Sequence, residues 1–146
     1  MAYTNALSAY KETRVRTASQ GQLIVMLYDE AVKQLDKGLE LLKLNKGEKQ
    51  DPSRIETIGK AVIKTRDIIT ELMVSLDFDQ GGEIAHNLFA LYTWFNKELL
   101  EAHIAMDMTR INTVKIQLND LRSAWAGIAA STNAEGRPLE GVNLAG

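Results

Sequence analysis

A chain of 146 residues, 45% of them hydrophobic and 25% charged, has the size and balance of one ordinary globular domain, long enough to bury a core without disulfides or a structural metal. Cysteine is absent, which excludes thiolate metal sites, catalytic thiols and disulfide scaffolding, and a net charge of −2 favours neither nucleic acid nor an anionic membrane surface. The first residues lack a basic stretch followed by an apolar one, and no apolar run approaches the ~18 residues of a membrane span. A cytoplasmic protein with no membrane insertion is the expectation.

Residues 1–18 carry Lys11, Arg14 and Arg16 beside Glu12, a poor footprint for nucleic acid, and Ala6, Leu7, Ala9 and Tyr10 as the apolar side of a short segment. The first helix starts after Ser19, which stands three residues before Gln22 at capping-box spacing, and frays near Lys46-Gly47. At 100° per residue its core stripe is Ile24, Leu27, Tyr28, Ala31, Leu35, Leu39 and Leu42, with Leu23 and Val25 at the edges. Met26 falls outside this stripe, among Asp29, Lys33 and Lys37. The unbroken apolar run from Leu23 to Leu27 therefore needs a cover, and residues 1–18 are the nearest candidate.

Asp51 caps a second helix with Pro52 in its first turn, where the missing N–H costs nothing. Its stripe is Ile55, Ile58, Val62, Ile69, Leu72 or Met73, and Leu76. "DFDQGGE" reads as a break, so the spacing predicts a third helix from about Glu83, with Ile84, Leu88, Leu91, Phe95, Leu99, Ala102 and Met106 on one face. Asp107 caps a fourth, in which Ile111, Val114, Leu118, Leu121, Trp125 and Ile128 keep the three-and-four rhythm of coiled-coil-like packing. The expected fold is all-α, an antiparallel up-down-up-down four-helix bundle over residues 19–130. A cap segment at 1–18 precedes it, and a small, polar, Gly-rich disordered tail at 131–146 follows.

Chemistry is sparse. Glu83 and His86 stand at the E-x-x-H spacing of di-metal bundles, but the motif occurs once, and such a centre needs a second pair and further glutamates. No Walker loop, G-x-S-x-G or G-x-G-x-x-G is present. No catalytic, cofactor or metal residue is assigned, and a metal-binding bundle remains as an alternative. Apolar surplus is more informative: Phe89, Leu100 and Ile104 gather to one side of the third helix, with Ile63 and Val74 flanking the second. Such a surplus serves either a second helix neighbour or a partner chain.

The segments "TASQGQLIVMLYDEA", "GGEIAHNLFALYTWFNKELLEAH" and "LRSAW" closely resemble the flagellin export chaperone family, FliS, from roughly Ala9 to Ile128. Tyr10, Thr17-Ala18-Ser19, Leu27-Tyr28-Asp29, Gly81-Gly82-Glu83-Ile84-Ala85, Leu91-Tyr92 and Trp125 come in the family's order. The resemblance implies a non-enzymatic protein without cofactor. Such a protein binds the disordered C-terminal segment of flagellin, prevents premature polymerisation and delivers flagellin to the flagellar type III export apparatus. It also implies that the N-terminal segment covers part of the binding surface beforehand. With the apolar surplus, it assigns partner contact to Tyr10, Leu23, Met26, Tyr28, Leu88, Phe89, Tyr92, Leu100 and Ile104. Another export substrate, a component of the export apparatus or a regulator competing for the same surface is the remaining class of partner.

Overall fold

The computed structural model describes residues 20–45 and 51–135, so the expected cap segment with Tyr10, and the tail beyond Glu135, lie outside the described residues. Four helices follow one another: α1 (Gln20–Leu44), α2 (Pro52–Val74), α3 (Phe78–Ala105) and α4 (Met108–Glu135). Helix α1 packs on α2 and α4, and α3 packs on the same two, which makes a square with α1 and α3 on one diagonal. The contacts between helices give their sense. Asp36 and Asp29 of α1 meet Lys115 and Arg122 of α4 in opposite chain order, and Gly59 and Thr70 of α2 meet His103 and Asn96 of α3 likewise. The bundle is antiparallel, as the short connections require.

Local chemistry sets the helix ends. Asp51 accepts from the Ser53 N–H at 2.9 Å with Pro52 behind it, and its own N–H donates to Asn45 Oδ1 at 2.8 Å, fastening the start of α2 to the end of α1. Helix α2 closes when Ser75 donates both its N–H and its hydroxyl to the Glu71 carbonyl. Met106 ends α3 in the left-handed region at φ 50°, and Asp107 caps α4 by accepting from the Arg110 N–H at 3.1 Å.

Helix α3 is two helical stretches joined at a kink. Asp77 caps the first, which starts at Phe78, by accepting from the Gln80 N–H at 3.0 Å, and Gly82 leaves helical geometry at φ 52° and ψ −125°. That conformation is closed to residues with a Cβ, so the glycine breaks the chain where expected and the main run starts near Glu83, while the short stretch before it is the addition. Its buried face follows the expected stripe through Phe95, Leu99 and Ala102, with Leu88, Leu91 and Met106 half-buried against the core, but Ala85 and Tyr92 are buried beside it and Ile84 is exposed. In α4 the stripe holds from Ile111 to Trp125, but Ala129 takes the place expected of Ile128, which is exposed, and the helix continues past residue 130 to Glu135.

The core lies where all four helices converge, with Ile24, Leu27 and Leu35 facing Ile58, Ile69, Phe95, Leu99 and Ile111. Each such side chain contributes roughly 1.5–3 kcal/mol by leaving water. A polar cluster sits inside it. The Tyr28 and Tyr92 hydroxyls hydrogen-bond to each other across the bundle diagonal, and Trp125 of α4 is buried in the same core. Both tyrosines are buried, and their bond joins α1 and α3 at one level.

Candidate partner-binding surface

Of the exposed large apolar side chains among the described residues, Leu44, Ile84, Trp94, Ile116 and Ile128 lie apart, and the other six gather along one seam. On α3, Phe89, Leu100 and Ile104 fall within about 60° of each other around the axis, and on α2 Ile63 and Val74 share a face with Thr70 to within about 40°. Thr70 accepts a hydrogen bond from Asn96 of α3 at 3.2 Å, so that face of α2 and the Asn96 side of α3 border the same groove. Exposure runs from 41% at Leu100 and 43% at Phe89 to 50% at Ile63, 76% at Val74 and 77% at Ile104, far above what a helix neighbour would leave uncovered. Phe78, also exposed, extends this edge, with its ring 5.8 Å from Phe89 and 4.8 Å from His86.

The seam has a polar floor. Asn96 also lies 3.9 Å from Met73 Sδ, Thr70 donates to the Arg66 carbonyl at 2.9 Å, and the His103 ring lies 3.4 Å from where a Gly59 side chain would begin. Glycine at 59 lets the imidazole settle against α2, so His103 is a packing residue of this seam. On the other flanks charged pairs tie α4 down: Arg110 to Glu98 and Glu101 of α3, Lys115 to Asp36 of α1 at 2.8 Å, and Arg122 to Asp29 of α1. Between α2 and α3 the side-chain contacts are neutral, from Asn96 to Thr70 and to Met73 Sδ and from His103 against Gly59.

The residues assigned to partner contact separate into three groups. Phe89, Leu100 and Ile104 come together on the seam, and Leu88 is half-buried against the core beside them. Met26 is half-buried on the outer side of α1, away from this groove. Leu23, Tyr28 and Tyr92 are buried, the two tyrosines satisfying each other's hydroxyls. Burial raises the Tyr92 pKa to about 12 and pushes Tyr28 higher still, with the neighbouring Tyr92 reinforcing the latter, so both stay neutral hydrogen-bonding groups.

Other places of chemical interest resolve into structure. Glu83 and His86 are exposed, with His86 Nδ1 2.8 Å from the Gly82 carbonyl, and among the described residues no three acidic or histidine side chains are grouped to hold a metal. A cleft of about 340 Å³ at the α1/α2 turn is lined by Asn45 and Asp107, whose side chains are occupied in holding the starts of α2 and α4. Among the described residues no helix is long and apolar enough to cross a membrane.

A four-helix bundle with an exposed apolar groove between two of its helices defines a protein-binding module. The chain belongs to the FliS family: the family model described as flagellar protein FliS matches residues 3–132. It is 35% identical over 81% of its length to the flagellar secretion chaperone FliS of Salmonella typhimurium, covering 82% of that protein. It is 33% identical to the flagellar secretion chaperone FliSB of Pseudomonas aeruginosa, over 81% of this chain and 87% of that one. With the flagellar secretion chaperone FliS of Bacillus subtilis it shares 27% identity over 86% of both. These relatives are named chaperones of flagellar secretion, not enzymes.

Proposed function

We propose that this protein is the cytoplasmic export chaperone of flagellin. It binds flagellin's disordered C-terminal segment, keeps it from polymerising early, and presents it to the flagellar type III secretion apparatus without catalysing a reaction. The observation that carries this reading is the row of exposed apolar side chains along the α2/α3 seam, Val74 and Ile63 facing Phe89, Leu100 and Ile104, in a chain of the FliS family. A flexible segment with spaced leucines and isoleucines lays them into such a groove without having to fold alone. Ordering that segment costs several kcal/mol, so contacts must be spread over a long groove, and this one follows the helices for most of their length.

The reading is tested by the growth of flagellin filaments from monomer, followed by light scattering. An equimolar amount of this protein is expected to suppress growth, and adding a peptide of the flagellin C-terminal segment in excess is expected to restore it. Growth unaffected by the folded protein would overturn the reading.

A further inference from the structure

We propose that the floor of the α2/α3 seam grips the docked polypeptide by its main chain, with Arg66 Nε–H donating to a client carbonyl and Asn96 Oδ1 accepting from a client N–H. The inference rests on the seam being the client's groove. Asn96 uses its amide nitrogen to donate to Thr70, while its Oδ1 is buried and has no partner. Arg66 Nε is likewise buried and unpaired. Arg66 stands one turn before Thr70 on α2, about 40° from it around the axis, and Thr70 meets the Asn96 side chain, so both residues border the same stretch of seam.

Buried polar atoms without partners are few in native proteins, and two of them in one groove call for an explanation outside the fold's own stability. Together they present one donor and one acceptor. A carboxylate offers only acceptors and an ammonium only donors, whereas a polypeptide main chain offers both at every residue. The two residues are half-buried as a whole, so a side-chain rotation is enough to bring each atom to a docked chain. Contacts of this kind are indifferent to the client's side chains. Ile63, Phe89, Leu100 and Ile104 then read the client's apolar residues from the rim, while the floor holds whatever chain lies between them.

In the free protein the unpaired groups are a burden, so removing them should move stability and binding in opposite senses. The test measures the melting temperature of the full chain and, by fluorescence anisotropy, its affinity for a labelled peptide of the flagellin C-terminal segment. Arg66→Met is expected to bind about tenfold more weakly with a melting temperature unchanged or raised; Asn96→Leu, which also gives up the bond to Thr70, is expected to bind about tenfold more weakly with a melting temperature within a few degrees of the parent, while Asn96→Asp, which keeps the acceptor, stays within about threefold of the parent. Equal affinity in all variants would overturn the main-chain grip and leave the proposed function standing. A clearly lowered melting temperature in Arg66→Met would assign its unpaired group to the fold and overturn the grip too. A parent protein that does not bind the peptide would remove the reading of the seam and this inference with it.

Discussion

Replacing one hydroxyl of the buried tyrosine pair should cost more than replacing both. The two hydroxyls are bonded to each other in the core. Tyr28→Phe and Tyr92→Phe each leave the remaining hydroxyl buried without that partner, and each should cost about 1–3 kcal/mol. The double variant buries no unpaired hydroxyl and should be more stable than the less stable single variant by about 1 kcal/mol. For a chain of this size each kcal/mol corresponds to roughly 3 °C in melting temperature. Urea unfolding at neutral pH, followed by circular dichroism with the slope held constant across variants, measures all three. Losses that simply add would refute the cross-bundle pair.

The same pair predicts a pH dependence. Burial raises both phenol pKa values above the ordinary 10, so between about pH 10 and 12 the unfolded chain loses protons that the folded one keeps. Their contribution is therefore whole below pH 10 and declines above it, by up to ~1.4 kcal/mol per pH unit for each tyrosine. Of four tyrosines, Tyr28 and Tyr92 should show phenolate absorbance only as helical signal is lost, and all four titrating together in a folded bundle would contradict this. Gly82→Ala should cost roughly 1–3 kcal/mol from the backbone alone, since a Cβ there meets nothing within 4 Å, and an unchanged melting temperature would show that α3 straightens without penalty. Ile104→Glu should weaken binding of the flagellin peptide about tenfold or more with little change in melting temperature. Met26→Glu separates the two faces: weakened binding would extend the client's path on to α1, and unchanged affinity would confine it to the seam.

Much of the architecture is legible because its signals are local. Asp51 and Asp107 cap α2 and α4 through bonds to residues two or three along the chain, and the stripes of α2 and α4 follow their spacing. Helix α3 is different. Two consecutive glycines carry the signal of a chain break and Gly82 does leave helical geometry, but the short helical stretch from Phe78 that leads into it has no apolar periodicity to announce it. The turn of α3 that buries Ala85 and Tyr92 and exposes Ile84 is fixed by a hydrogen bond to a residue 64 positions earlier. The surface shows the same division. Phe89, Leu100 and Ile104 stand out in sequence because apolar residues off the core stripe have no local reason to be there. Arg66 and Asn96 look like ordinary solvated residues, and their unpaired atoms become visible only when α2 lies beside α3.

Titration calorimetry of the full chain with a peptide of the C-terminal segment of flagellin, at several temperatures, tests the central claim most directly. One-to-one binding with a negative heat-capacity change is predicted, because the α2/α3 seam buries its apolar rim on the peptide, and Ile104→Glu should weaken it. A folded bundle that gives no binding heat at any temperature, with no displacement in a competition format, would contradict the account.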